Sequence, residues 1–509
     1  MAGSTGARGT GERAEREQRG ARGRWWRPGA LGGPWAWLVP AAVALAATAW
    51  RYDAKPLWRD EVYTLATAER PYAVMLRGLR VTDAGMGPWY ALVRPWVLLS
   101  REEAWLRLPG ALATVLTAVL VALIARRLLR PGSPPGARAV AGVVAGTAFA
   151  LAPVVVEHSQ EARPYPLVLA CVSATALALL HERERPRRRW LVLRVVSSTL
   201  AAALHVLTGA PAVAALLAVA LALPGRAGRR RVLLGALPAA AVSAALVAAG
   251  LSQAPNRIGE DFPVLARTAG LWTAHAAGVP VLLVLLALVG AGAVHLRGER
   301  AVLLLLLAWA VAPVAALAAS AAGGQLFSAR YAAASAPALA VLAGTGAGAL
   351  AARVRTARSR AAVAVLAAGA LVAGQGGHLL HERARPYVTD DITSAVAVLA
   401  AGARPGDAVA FLGNTTRPHV RYYLPAGTPL DDALLLRDTD VSVSVGGDDV
   451  PERERAAALA GHRRVWLVGL VLNDPWEEVF AGWVQPARAG RQREFGGDYG
   501  AVRVELWTR

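Results

Sequence analysis

Apolar blocks of roughly 16–22 residues, the length a helix needs to cross a hydrocarbon core about 30 Å thick, recur from Pro34 to Leu380. Short arginine clusters separate them. The hydrophobic share is 55%, above the roughly 45–50% of a soluble domain. The pattern predicts an α-helical polytopic membrane protein and excludes a single large soluble core.

The net charge of +20 would point to nucleic acid on a soluble chain. Here the arginines return in alternate interhelical loops, as the positive-inside rule requires, so no nucleic-acid partner is expected. Lys55 is the only lysine. Cys171 is the only cysteine, so no disulfide can form within the chain.

Residues 1–33 read as a disordered basic cytoplasmic tail. Pro34–Trp50 is the first block. Its Ala44-Leu45-Ala46 run resembles a signal-peptide end, but the many spans that follow favour an uncleaved helix. The blocks 108–129, 139–156, 165–180, 191–207, 210–223, 232–252, 271–296, 301–321, 331–351 and 361–380 complete about eleven spans, with every arginine cluster on the inner side. Pro88–Leu99 is too short to span. With Trp89, Tyr90 and Trp96 it reads as a helix lying on the outer surface. The N-terminus falls inside and the C-terminus outside.

Residues 382–509 change character. Helical stretches at 394–403 and 453–459 alternate with strand-like runs at 408–412, 464–468 and 501–507. They predict a small C-terminal α/β domain outside the membrane, after a membrane domain over 34–381.

Two outer loops carry chemistry. The first holds Trp58-Arg59-Asp60-Glu61-Val62-Tyr63. A carboxylate pair there can act as general base, hold a divalent metal, or be ordinary solvated charge. The second holds Glu157-His158-Ser159-Gln160-Glu161-Ala162-Arg163-Pro164-Tyr165. Its charges could equally be interface anchors. His205 reads as a packing or hydrogen-bonded histidine, Asn414-Thr415-Thr416 as a chance glycosylation sequon, and Gly344-Thr345-Gly346-Ala347-Gly348 as close helix packing.

Residues 57–130, the Ser159–Tyr165 run and the Arg330-Tyr331 pair resemble glycosyltransferase family 39. That family includes the protein O-mannosyltransferases and shares the type C glycosyltransferase fold with the aminoarabinose transferases. Asp60-Glu61 matches the family's first acidic motif, Glu161 its second, and Leu106-Arg107-Leu108-Pro109 a run that opens the second span. Met86 stands where relatives carry a histidine, which puts the acceptor, the sugar or the activity itself in question. The resemblance implies transfer of a mannose-type sugar from a polyprenyl-phosphate donor to an extracytoplasmic glycan, lipid or protein. Asp60, Glu61 and Glu161 are then the catalytic candidates. Arg163, Tyr165, Arg330, Tyr331 and His158 are the substrate-binding candidates, with the arginines on the donor phosphate. Metal dependence stays open, because carboxylates permit an ion and arginines can replace it. The rival reading is a polytopic lipid or glycan transporter or flippase, which would place its ionisable residues near the bilayer midplane.

Overall fold

The computed structural model describes residues 33–222, 226–253, 271, 274–322, 328–413, 415–471 and 476–509. The basic stretch over 1–32 and Asn414 of the sequon lie outside them. Helix α1 spans Trp35–Ala49. Three shorter helices follow: α2 (Arg59–Ala68), α3 (Tyr72–Leu79) and α4 (Gly87–Val97), which corresponds to the block expected at the outer surface. Next come α5 (Glu103–Arg127), α6 (Pro135–Ala150), α7 (Pro153–His158), α8 (Tyr165–Glu184), α9 (Arg188–Leu204) and α10 (Val206–Ala222). The bundle closes with α11 (Arg226–Leu251), α12 (Val279–Leu296), α13 (Arg300–Ala322), α14 (Ala336–Arg353) and α15 (Ala357–Ala384).

Each hydropathy block corresponds to a helix. Among the described residues, seven helical stretches are long and apolar enough to cross a membrane. The other four, α1, α6, α9 and α10, have 15, 16, 17 and 17 residues. They sit at or below the roughly 17-residue lower limit for a span. The chain is a multi-pass membrane protein.

Proline sets several boundaries that hydropathy misplaced. A proline in the first turn lacks only an N–H that the helix would leave unpaired anyway. The block at 139–156 is not one span: α6 stops at Ala150, and Pro153 starts α7. Within the block at 271–296, residues 274–278 are turn and bend, and α12 begins at Val279, next to Pro280. The block at 331–351 begins as a 3₁₀ turn over Ala329–Ser335 before α14 starts beside Pro337.

The glycine-rich run packs helices together. Helix α14 is the central one, buried along most of its length. A methyl on Gly346 would lie 2.0 Å from the Leu288 carbonyl oxygen, and one on Gly344 would lie 2.4 Å from that of Ala141. Only glycine permits that approach of α12 and α6.

Beyond α15 lies a three-layer α/β domain. Helix α16 is Ile392–Gly402, β1 Asp407–Leu412 and α17 Thr416–Tyr423. Strands β2 (Leu430–Asp431), β3 (Leu435–Arg437) and β4 (Asp448–Asp449) precede α18 (Glu452–Ala460) and β5 (Arg464–Leu470). The end is α19 (Trp476–Val479), α20 (Ala481–Arg488), β6 (Gln492–Tyr499) and β7 (Val502–Thr508). The main sheet runs β2-β1-β5-β7-β6, parallel across its first three strands and antiparallel beyond. Strand β1 is buried on both sides, as a parallel central strand must be. Val409 and Phe411 face Leu399 and Val420, while Ala408, Ala410 and Leu412 face Leu459 and Val484.

Gly346→Ala should destabilise the bundle by about 1–3 kcal/mol through overpacking. Gly377→Ala, with nothing within 4 Å of the added methyl, should leave the unfolding temperature of the detergent-solubilised protein unchanged or raised. Equal behaviour of the two variants would refute the packing assignment.

Candidate active site

A buried ion pair anchors the loop after α1. Glu61 lies in the first turn of α2, where a carboxylate complements the helix dipole. Arg107 sits near the start of α5. Their side chains are 0% and 2% exposed. Arg107 Nε donates to Glu61 Oε1 at 2.9 Å and Nη2 to Oε2 at 2.8 Å. Glu61 also accepts the backbone N–H of Ala162 at 2.8 Å and of Trp58 at 3.3 Å. Arg107 donates further to the carbonyls of Lys55 and Pro56 at 2.9 and 3.1 Å. The carboxylate therefore joins the first outer loop, α5 and the second outer loop.

Asp60 faces elsewhere. Its side chain is 26% exposed, and its Oδ2 lies 3.0 Å from Arg330 Nη1 and 3.8 Å from Arg163 Nη2. Arg163 Nη1 also donates to the Asp60 carbonyl at 3.3 Å and to Thr64 Oγ1 at 3.2 Å. Burial alone would raise the Asp60 carboxyl. The guanidiniums of Arg163, Arg330 and Arg59 outweigh it and hold the group below its ordinary 3.8. Burial disfavours charge on Arg163 and Arg330 too, but the Asp60 carboxylate favours the charged form of both.

Aromatic rings surround the Arg330 guanidinium. It lies 5.5 Å from the Trp58 ring centre, 5.9 Å from Tyr165 and 5.7 Å from Tyr331. His205 stands 5.0 Å from both Tyr165 and Tyr331, with its Nδ1 accepting the Thr208 N–H at 3.2 Å. Four buried polar atoms in this group have no hydrogen-bond partner: Trp58 Nε1, Arg163 Nε, Tyr165 OH and Arg330 Nε. A buried donor left unpaired costs about 1–3 kcal/mol, so this cluster gains from an incoming acceptor.

Glu161 reaches the cluster indirectly. His158 Nδ1 donates to Glu161 Oε2 at 3.0 Å, and the His158 ring is 5.4 Å from Tyr165. Burial opposes charge on His158, but the Glu161 carboxylate raises the imidazole above its ordinary 6.5. The structure thus joins Asp60, Arg163, Arg330, Tyr165 and Tyr331 directly, with His158 and Glu161 behind them. Met86 is buried in the hydrophobic core and 6% exposed. Among the described residues, no three His, Cys, Asp or Glu side chains gather as a metal would require.

The C-terminal domain grips the segment just before Asp60. His419 Nε2 donates to the Leu57 carbonyl at 2.8 Å. The Tyr423 hydroxyl accepts the Leu57 N–H at 2.6 Å and donates to Glu103 at 2.6 Å. The Asp390 carboxylate accepts the Arg59 N–H at 3.4 Å, while Glu382, in the last turn of α15, pairs with Lys55. Sequence reasoning quoted Trp58 and Arg107 within motifs without giving either a role, read His205 as a packing or hydrogen-bonded histidine, and missed this clamp. Arg107 alone carried a signal, since an arginine at the mouth of an apolar helix needs a partner.

The crystal structure of ArnT from Cupriavidus metallidurans bound to undecaprenyl phosphate matches with a TM-score of 0.57 at 15% identity, over 93% of this chain and 98% of that one. The apo structure of the same protein matches with a TM-score of 0.56 at 14% identity, over 92% and 97%. The chain has the type C glycosyltransferase fold. No protein-family model and no curated protein matches the sequence. The type C likeness therefore rests on the path of the chain, α/β domain included.

Two outcomes follow from the site. Glu61→Gln or Arg107→Met should each cost about 3–5 kcal/mol, because each strands a buried partner; a thermal unfolding series would show it, and wild-type stability in both would refute it. The raised His158 contributes stability that is full below its unfolded value of 6.5 and is lost as pH rises through the folded value. Unfolding temperature scanned from about pH 6 to about pH 9 should fall in the native protein and stay flatter in His158→Gln.

Proposed function

We propose that this chain is a membrane glycosyltransferase that moves a sugar from a polyprenyl-phosphate donor to an acceptor at the extracytoplasmic surface. The observation that carries the reading is the Asp60 carboxylate held against Arg330 and Arg163 beside unpaired buried donors. A carboxylate beside an anion cradle is what an inverting displacement needs: a base for the acceptor proton and cations for the leaving phosphate. The likeness to ArnT, which was crystallised with undecaprenyl phosphate, supports a lipid-linked donor. The resemblance to family 39 supports a mannose-type sugar.

In this reading the acceptor hydroxyl loses its proton to Asp60 as its oxygen attacks the anomeric carbon. The bond from that carbon to the phosphate oxygen breaks, and polyprenyl phosphate leaves against Arg330 and Arg163. Asp60 Oδ2 lies 3.0 Å from Arg330 and 3.8 Å from Arg163. A carboxylate paired with two guanidiniums is a weak base. When the donor phosphate draws Arg330 to itself, the Asp60 pKa rises toward its working range. Glu61, its lone pairs committed to Arg107 and two N–H groups, acts as a positioning residue. Glu161 orients His158 beside the donor. The arginine clusters support an inside N-terminus, so the site and the α/β domain of residues 382–509 lie outside.

A turnover assay with a polyprenyl-phosphate sugar tests this reading. Asp60→Asn should lower transfer by about 10²–10⁴ while leaving donor binding nearly intact. Arg330→Ala should weaken donor binding, because the phosphate is present before the transition state. Full turnover in Asp60→Asn would overturn the site, and lipid translocation without glycosidic-bond formation would favour the flippase. A periplasmic-type reporter fused after Arg509 should be active only outside the cell.

A further inference from the structure

A second polar cavity lies at the opposite end of the same helices. Helix α8 starts at Tyr165 in the candidate site and ends at Glu184, and α5 runs from Glu103 beside the site to Arg127. At about 1.5 Å per residue, 20 and 25 residues separate the two ends by roughly the thickness of a bilayer. Between the end of α5 and the turn from α8 to α9 is a cavity of about 200 Å³. That is smaller than the roughly 300–1,000 Å³ of clefts that take drug-sized ligands.

Its lining is strongly cationic. Arg127, Arg185, Arg187 and Arg189 line it together with one carboxylate, Glu184, which pairs with Arg127 at 2.5 Å. The wall is layered: His181 stacks on Trp190 at 3.9 Å with the rings 6° apart, and the Arg189 guanidinium lies 4.8 Å from the Trp190 ring centre. The turn is braced by Arg231, which donates to the carbonyls of Pro186 and Arg187 at 3.5 and 2.9 Å. Glu182, in the last turn of α8, pairs with Arg194 at 2.9 Å. The backbone that carries the cations is therefore held in place.

We infer that this cavity binds a phosphate-bearing anion at the membrane face opposite the candidate active site. Guanidinium matches a phosphate with paired hydrogen bonds. A basic pocket between helix ends, floored by a tryptophan of interfacial type, is the chemistry that recognises an anionic phospholipid headgroup. Free phosphate presents the same oxygens.

Native mass spectrometry of the full chain in detergent tests the site with cardiolipin, with phosphatidylcholine and with inorganic phosphate. Cardiolipin or phosphate should bind above phosphatidylcholine, and Arg187→Gln/Arg189→Gln should weaken that binding by at least about tenfold. A loss confined to cardiolipin assigns a lipid headgroup, and a loss for inorganic phosphate assigns a free anion. Arg355→Gln/Arg358→Gln, on another arginine turn, should leave binding unchanged. The inference is overturned if neither probe exceeds phosphatidylcholine, if the first pair has no effect, or if both pairs weaken binding equally. Should the glutamine variant not fold, Arg187→Lys/Arg189→Lys keeps the charge and loses the bidentate fork. A clear loss there supports the site, and unchanged binding overturns it.

Discussion

Glu61 and Arg107 meet where no water reaches them, and the candidate site is built outward from that contact. A buried ion pair is tolerated only when its remaining lone pairs and protons are also satisfied. Here they are: two parallel bonds join the side chains, Glu61 takes two N–H groups, and Arg107 reaches two carbonyls. One of those N–H groups belongs to Ala162, between Glu161 and Arg163. The pair thus sets the distance between the two outer loops.

It also decides which carboxylate is available. Successive residues of a helix point about 100° apart. With Glu61 turned into the protein, Asp60 is turned toward Arg330 and Arg163, and it keeps some exposure. The α/β domain reinforces this from the other side, because His419, Tyr423 and Asp390 hold the backbone from Leu57 to Arg59. Asp60 is fixed by contacts from its own helix, from the second outer loop and from the 3₁₀ turn before α14, and the backbone before it is held by residues beyond position 382.

The helices were readable in the sequence because burial in lipid is a property of a whole segment. The eleven apolar blocks each have a helix, and the strand runs at 408–412 and 464–468 lie within β1 and β5. Boundaries were less readable where proline overrode hydropathy, as at Pro153 and Pro280. The candidate site was half readable. Asp60, Arg163, Tyr165 and Arg330 stood out as polar groups at helix ends, whereas His205 looked like an ordinary packing residue. It does accept the Thr208 N–H, yet its ring also lies against Tyr165 and Tyr331.

Taken alone, the sequence determined that the chain crosses the membrane many times, that arginine clusters separate its apolar blocks, and that two loops carry acidic motifs. Those are local properties: length, apolarity and charge sign need no partner to be read. Only the tertiary structure decided between Asp60 and Glu61, two adjacent carboxylates with the same chemistry. The deciding partners, Arg107 and Arg330, lie 46 residues from Glu61 and 270 from Asp60 along the chain. A side chain's protonation and reach depend on which charges come within a few ångströms, and that follows from packing rather than from position in the chain.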